Sequence, residues 1–290
     1  MAIEHMRYSG AHLCPEHFIE FFEQRARREM KGVRRDRIAI ALSGGKDSTA
    51  LLRFVSDEHE GELIAITLDE GIDGYRDESV VIASENCRDL GAEHVVIDLK
   101  REIGFSIDEI FSLYEERGLK HVECSFCGVM RRYYINRAAR ALNVDYLLFA
   151  HNLDDMAQTA LMNLVHNDLS RGMPPYNNSG PEFVRRLAPF KWIPEREVAV
   201  YGLVRGIRCH IAECPYAHVA ERNRYRSAVN LLERGSPGVR HGLVKSYDRA
   251  SSMFPREGEM KRCSECGEPT SNDVCKRCEM TKTLEDLKYK

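Results

Sequence analysis

Apolar positions recur along this chain with two different periods. Between residues 15 and 31, Phe18, Ile19, Phe22 and Ala26 fall on one helical face and Pro15 suits a first turn, so an amphipathic helix is predicted there. Residues 38–42 are instead a short unbroken aliphatic run, the pattern of a strand buried on both sides. A glycine-rich turn follows, then a helical pattern over 47–58. The alternation repeats as a strand at 63–68, a helix at 77–90 closed by Gly91, and a strand at 94–99. Helical patterns cover 103–117 and 128–142, a fourth strand spans 146–150, and a helix covers 154–166. Strand–helix alternation with short connections predicts an α/β fold, a doubly wound parallel sheet covered on both faces.

The pattern then changes. Residues 167–183 are rich in Pro, Gly and Asn and predict a surface loop. A helix is expected over 193–204, starting at the Pro194-Glu195 turn, and another over 218–234. From Pro255 onward there is little aliphatic core but there are four cysteines, which sets a domain boundary. No internal repeat is visible.

At 290 residues, with 43% hydrophobic and 30% charged residues, the chain fits a globular protein of one large domain with appendages, or two domains. No apolar run reaches the roughly 18 residues of a membrane span, and no apolar stretch resembling a secretory signal opens the chain, so a cytoplasmic protein is expected. Met1 to Met6 (MAIEHM) reads partly as an expression leftover and is set aside from the fold reasoning. The net charge of −3 excludes a uniformly basic nucleic-acid binder. The charge is nevertheless uneven. Residues 25–37 hold seven Arg/Lys against two acids and 218–262 hold ten against five, while 53–85 hold ten acids against two Arg. Such runs are often solvated helix faces, but basic patches flanking a phosphate-binding core are also the footprint of an RNA substrate.

That core is readable in Ala41-Leu42-Ser43-Gly44-Gly45-Lys46-Asp47-Ser48, between a predicted strand and a predicted helix. Gly44 and Gly45 let backbone N–H groups approach a phosphate, and the helix start adds free donors and a positive dipole end. Ser43 and Ser48 bring hydroxyls and Lys46 a point charge. The glycine spacing, and the Asp after Lys46, exclude a Walker A loop. With this SGGKDS segment the chain resembles the PP-loop ATP pyrophosphatases, an adenine nucleotide alpha hydrolase-like fold. That family cleaves ATP between its α and β phosphates, transfers AMP to an oxygen and lets a nucleophile displace it. Two further segments fit. Asp69-Glu70-Gly71-Ile72 follows the second predicted strand, and Ala150-His151-Asn152-Leu153-Asp154-Asp155 follows the fourth. The resemblance implies that Ala41, Ser43, Gly44, Gly45, Lys46, Asp47, Ser48, Asp69, Arg131, Ala150, Asp154 and Asp155 hold ATP and Mg²⁺, with Asp69 catalytic.

Eight of the ten cysteines fall into clustered pairs. Without a secretory signal these read as metal ligands rather than disulfides, while Cys87 sits in a helical pattern and reads as core. Cys124-Ser-Phe-Cys127 precedes a predicted helix, and Cys214 lies far away in Glu213-Cys214-Pro215 with Cys209 as a spare. A C-x2-C serves redox chemistry, zinc or an iron–sulfur cluster. Three cysteines without a fourth suggest an open coordination position, which in a [4Fe–4S] cluster leaves one iron for an external sulfide. Cys263-x2-Cys266 and Cys275-x2-Cys278 form the paired knuckles of a closed tetrahedral Zn²⁺ site, a zinc ribbon.

Taken together, these segments resemble the cluster-dependent tRNA 2-thiouridine synthetases. The resemblance implies that uridine O2 is adenylated and that sulfur then displaces AMP, with Cys124, Cys127, Cys214 and Arg131 catalytic. Relatives acting on uridine 54 tend to have Lys where Arg131 stands, and the wobble-uridine branch tends to have Arg-Arg. Arg cannot act as a base near neutral pH, so Arg131-Arg132 points to an electrostatic role and to uridine 34, with uridine 54 as the alternative. Relatives close an N-terminal zinc site with C-x2-C and C-x2-H, of which only Cys14 and His17 remain here as a partial site. The expected domains are an N-terminal helix and finger remnant (1–32), a catalytic domain (33–254) and a zinc ribbon (255–290). The implied partners are tRNA and a sulfur donor, either free sulfide or a thiocarboxylated ubiquitin-like protein. Resemblance alone suggests a homodimer. An amidating ligase and a non-catalytic RNA-binding zinc-ribbon protein are the other classes open to this sequence.

Overall fold

A computed structural model describes residues 2–33, 35–119, 123–169, 183–254 and 260–289. Most of the predicted loop at 167–183, and Pro255 at the predicted boundary, lie outside the described residues. The chain opens with a hairpin, Glu4–Met6 (β1) antiparallel to Ala11–Leu13 (β2), and then Pro15–Glu29 (α1). Setting MAIEHM aside was therefore a misreading, because Met6 is buried in the main core. The αβ body follows as Ile38–Ala41 (β3), Lys46–Glu58 (α2), Leu63–Asp69 (β4), Arg76–Leu90 (α3) and Glu93–Asp98 (β5). Next come Leu99–Ile103 (α4), Ile107–Glu116 (α5), Glu123–Ala141 (α6), Tyr146–Leu148 (β6), Leu153–Val165 (α7), Arg185–Leu187 (β7) and Glu195–Val204 (α8). A 3-10 turn at Pro215–Val219 leads to Arg222–Gly235 (α9) and Val239–Ser251 (α10). The tail is Lys261–Arg262 (β8), Pro269–Thr270 (β9) and Lys276–Tyr289 (α11).

The central sheet has the order β5-β4-β3-β6-β7 and every pairing in it is parallel. Its direction of winding reverses between β3 and β6, the switch point at which such folds bind ligands beyond the strand ends. The apolar runs sort by the period of two. Ile38, Ile40, Ala65 and Leu148 face α1, α2 and α8 on one side, and Ala39, Ile64, Ile66 and Leu147 face α6 on the other.

The helix predicted over 103–117 is broken in two. Asp98 caps α4, Gly104 ends it at φ +80°, and Ser106 with Glu109 forms a capping box that starts α5. Helix α10 and strand β7 were not anticipated. Strand β7 is three residues long, and α10 follows the Pro237-Gly238 turn that closes α9. The C-terminal segment is more than a ribbon. Helix α11 sends the fully buried Leu284 into a cluster with Phe126 and Met130 of α6.

One close approach fixes the turn after β3. Gly44 lies at φ +80°, and a Cβ there would stand 2.1 Å from the Ser79 carbonyl oxygen of α3. Replacing it with Ala imposes both left-handed strain and a backbone clash, so Gly44→Ala should lose about 2–4 kcal/mol of unfolding free energy. Denaturant titration of the two proteins checks this, and a loss under about 1 kcal/mol would contradict the packing.

Candidate active site

The turn between β3 and α2 is built by its own hydroxyls. Ser43 N–H donates to Ser48 Oγ at 3.1 Å, the two hydroxyls lie 2.9 Å apart, and Ser48 and Thr49 both donate to the Gly45 carbonyl at 3.0 Å. From outside, Arg76 donates to the Ser43 carbonyl (2.9 Å) and His210 N–H donates to the Gly44 carbonyl (2.8 Å). Carbonyls are thus consumed by the protein while the helix start at Lys46 faces a cavity of about 330 Å³.

Of the residues expected to hold ATP, Ala41, Ser43, Asp47, Ser48, Arg131, Ala150 and Asp155 line that cavity. Lys46 is turned to Asp47 (3.0 Å) and Glu195 (2.6 Å), so the Pro194-Glu195 turn reaches the loop through this pair. Asp69 and Asp154 are otherwise engaged. Asp69 accepts the Gly71 N–H at 2.9 Å, and the buried Asp154 accepts the Glu195 N–H and pairs with Arg240, both at 2.8 Å. Asp155 closes a capping box with Asn152 and pairs with Arg222 at 3.3 Å. Burial pushes the Asp47 carboxyl up to about 6, opposed by Lys46 and reinforced by Asp155 and Glu195. Burial likewise lowers the pKa of His151, so a neutral imidazole sits at the floor.

Several contributors escaped the sequence reading. Glu70 and Arg76 form a buried pair behind the loop, and Arg186 and Arg222 bring cations to the far wall. Glu70 stood in the quoted Asp69-Glu70-Gly71-Ile72 segment, and Arg222 lies within the basic stretch. Nothing local to Arg76 or Arg186 marked them.

Helix α6 begins at Glu123, so Cys124 and Cys127 belong to its first turns rather than preceding it. The thiol of Cys124 faces the Tyr216 carbonyl at 3.5 Å. Burial pushes the Cys127 thiol up to about 12, opposed by Arg131 and reinforced by Glu70, Cys214 and Cys124. Cys214 packs against the same apolar cluster as Cys127, whereas Cys209 lies within electrostatic reach of Lys46 and Asp47. Gly128, next to Cys127, and Arg131 line the same cavity as Ser43 and Asp47. Phosphate loop and cysteine helix thus share one cleft.

Cys263, Cys266, Cys275 and Cys278 are, among the described residues, the one group whose ligand atoms all lie within 4.8 Å of one another. That spacing suits a single tetrahedral ion. The Cys275 N–H points at Cys263 Sγ (3.2 Å); burial works against the Cys263 thiolate, yet backbone N–H groups of Cys275, Cys266 and Glu265 hold its pKa down to about 6. Cys124, Cys127 and Cys214 are not drawn together that tightly. Cys14 Sγ lies 3.0 Å from His17 Nδ1, and no third ligand joins them within that limit among the described residues.

Residues 18–231 match the PP-loop domain family, and residues 2–19 match the N-terminal LIM domain of the 2-thiouridine synthetase TtuA. The chain is 35% identical to tRNA 2-thiolation protein NcsA of Haloferax volcanii, over 98% of this chain and 97% of that one. It is 34% identical to the tRNA-5-methyluridine(54) 2-sulfurtransferase of Thermus thermophilus, over 95% and 87% of the two chains. Among solved structures, the U34-tRNA thiolase NcsA of Methanococcus maripaludis with its [4Fe-4S] cluster superposes with a TM-score of 0.85 at 31% identity. It covers 98% of this chain and 93% of that one.

The raised Asp47 carboxyl has a consequence for stability. Between its ordinary value of 3.8 and about 6, the folded protein keeps a proton that the unfolded chain has released, so stability falls as pH rises through that window. Asp47→Asn should remove the loss and be more stable than the parent at neutral pH by on the order of 1–3 kcal/mol. The difference should close near pH 4, as read by denaturant unfolding at both pH values. A parent as stable as the variant at neutral pH would contradict the assignment.

Proposed function

The chain belongs to the PP-loop family of tRNA 2-thiolation proteins, and from that premise we propose that it is an ATP-dependent tRNA sulfurtransferase acting on wobble uridine 34 through a [4Fe–4S] cluster on Cys124, Cys127 and Cys214. The observation that carries this reading is the shared cleft, in which Ser43, Asp47 and Ser48 face Gly128 and Arg131 across one cavity. The division into an N-terminal segment, a catalytic domain and a zinc ribbon is part of the same reading.

The donor sets fit their metals. The four ribbon sulfurs have the spacing of one closed Zn²⁺ site. Cys127 and Cys214 pack against one apolar cluster at the start of α6, beside Gly128 and Arg131 of the cavity wall, and with Cys124 they offer three thiolates not gathered within the 4.8 Å of the ribbon set. Cys124, Cys127 and Cys214 would hold the cluster, which would supply an iron without a protein thiolate to bind and activate external sulfide. The protein's own part is electrostatic and positional. Backbone N–H groups at the start of α2 receive the β and γ phosphates. Asp47 and Asp155 line the cavity, whereas Asp69 and Asp154 do not, so Mg²⁺ is placed with Asp47 and Asp155, which would exchange their pairing with Lys46 and Arg222 for the ion. Arg131 cannot take a proton and instead stabilises the charge that grows on the α-phosphate as uridine O2 attacks. The uridine must leave its stack to reach this depth, and the guanidinium groups of Arg186 and Arg222 on the far wall suit its phosphates.

Arg131-Arg132 favours uridine 34, as does the likeness to the U34-tRNA thiolase of M. maripaludis. No helix among the described residues is long and apolar enough to cross a membrane, which accords with a cytoplasmic enzyme. The sulfur donor, free sulfide or a thiocarboxylated ubiquitin-like protein, and the homodimer rest on the resemblance alone.

The experiment is position-resolved mass spectrometry of tRNA nucleosides from a strain lacking this gene. Loss of the 2-thio group at uridine 34 with uridine 54 unchanged is expected, and the reverse would move the assignment to uridine 54. In vitro, Cys214→Ala should lose cluster absorbance and reduce thiouridine formation by at least about a hundredfold, since sulfur delivery is removed outright. Thiolation retained without the cluster would overturn the sulfur step.

A further inference from the structure

Along the wall of the cavity, three charged side chains make a chain of contacts from the phosphate loop to the cysteine helix. Glu70, 1% exposed at the end of β4, accepts a hydrogen bond from Arg131 Nε through one carboxylate oxygen. Its other oxygen lies 2.6 Å from Arg76 Nε as an ion pair. Arg76 is spent entirely on protein. Its NH1 donates to the Ser43 carbonyl and to Ser79 Oγ, both at 2.9 Å, and its NH2 donates to the Leu68 carbonyl. Ser79 is the residue whose carbonyl seats Gly44. One carboxylate thus ties the loop's support to Arg131, one turn beyond Cys127.

The arrangement is asymmetric in a way that packing alone does not call for. A buried carboxylate is costly unless paired, and one arginine would neutralise it. Here there are two, which leaves one net positive charge. Arg76 is buried at 2% exposure, but the Arg131 side chain is 46% exposed and lines the cavity. Glu70 takes only the Nε of Arg131. Among the described residues, no acceptor is recorded for its two terminal nitrogens.

Resting on the thiolase reading above, we propose that Glu70 is a positioning residue for nucleotide activation. It clamps Arg131 by Nε so that the two terminal nitrogens face the α-phosphate oxygens, and it keeps that guanidinium in register with the phosphate loop through Arg76. A guanidinium left to sample other rotamers would meet the reacting phosphate only part of the time, so losing the clamp costs turnover more than ATP affinity, which the loop amides supply.

The test uses the cluster-loaded protein with ATP and transcript tRNA, and measures kcat and KM for AMP formation with cluster absorbance recorded on the same samples. Glu70→Gln should lower kcat by on the order of a hundredfold. KM for ATP should stay within about threefold and cluster absorbance should match the parent, because neither depends on the clamp. Arg131→Gln should lose a similar factor, and the double variant should be no worse than the poorer single, since the two residues act as one unit. Glu70→Asp, which keeps the charge on a shorter arm, should recover part of the rate. The proposal is overturned if Glu70→Gln turns over within about threefold of the parent, if its losses track ATP affinity or cluster content, or if the two single effects multiply. A parent that forms no AMP would sink the thiolase reading and this role with it. An active parent with an unaffected Glu70→Gln sinks this role alone.

Discussion

Parallel pairing of β3 with both β4 and β6 is the constraint from which the site follows. Parallel strands all end at the same edge, so the turn after Ala41, the Asp69-Glu70 corner and the His151–Asp155 segment emerge side by side although they are far apart in sequence. Since the winding reverses between β3 and β6, the helices leaving those two strands go to opposite faces and open a crevice between them. The phosphate loop lies on one lip of it. Helix α6 packs Ile135 and Ala139 against the face of the sheet formed by Ala39, Ile64 and Ile66, and so brings its first turns, with Cys124 and Cys127, to the other.

The position of α6 is set from both sides. The sheet holds its C-terminal half through apolar packing, and the C-terminal segment contacts it along its length. Leu284 of α11 fills the cluster around Phe126 and Met130, Arg277 donates to Tyr134 at 2.8 Å and stacks over the Tyr133 ring, and Arg140 pairs with Glu268 of the ribbon. The four ribbon cysteines therefore do more than close a surface knuckle. A metal bound there would rigidify the element that bears on the cysteine helix.

How much of this was legible depended on whether the determining contacts are local. The strand–loop–helix at 38–58 was readable because a buried parallel strand, two glycines and a helix start are all local patterns. So were the cysteine knuckles, whose spacing is itself the ligand geometry. The break at Gly104 was missed because a capping box at Ser106 and Glu109 was hidden inside an apparently continuous helical period. Strand β7 was missed because three residues carry too little pattern, and its pairing with β6 is a tertiary fact. Asp69, Asp154 and Asp155 were nominated by sequence resemblance; Asp69 accepts one hydrogen bond from the turn after its strand and Asp154 is paired with Arg240 and the Glu195 N–H, while Glu70 next door carries the pairing that reaches α6 through Arg131. Whether a side chain points back at its own backbone or out at a ligand is decided by φ and ψ at the strand end, and no spacing rule records it.

The central claim is that a nucleotide pocket and an iron centre on three cysteines face each other in one cleft. Anomalous diffraction at the iron and zinc edges, from anaerobically grown crystals soaked with a non-hydrolysable ATP analogue, tests it most directly. The account predicts iron beside Cys124, Cys127 and Cys214, zinc confined to Cys263, Cys266, Cys275 and Cys278, and the triphosphate on Ser43 to Ser48 with its α-phosphate toward Arg131. Zinc on the three cleft cysteines, or a nucleotide bound elsewhere with the cleft empty, would contradict it.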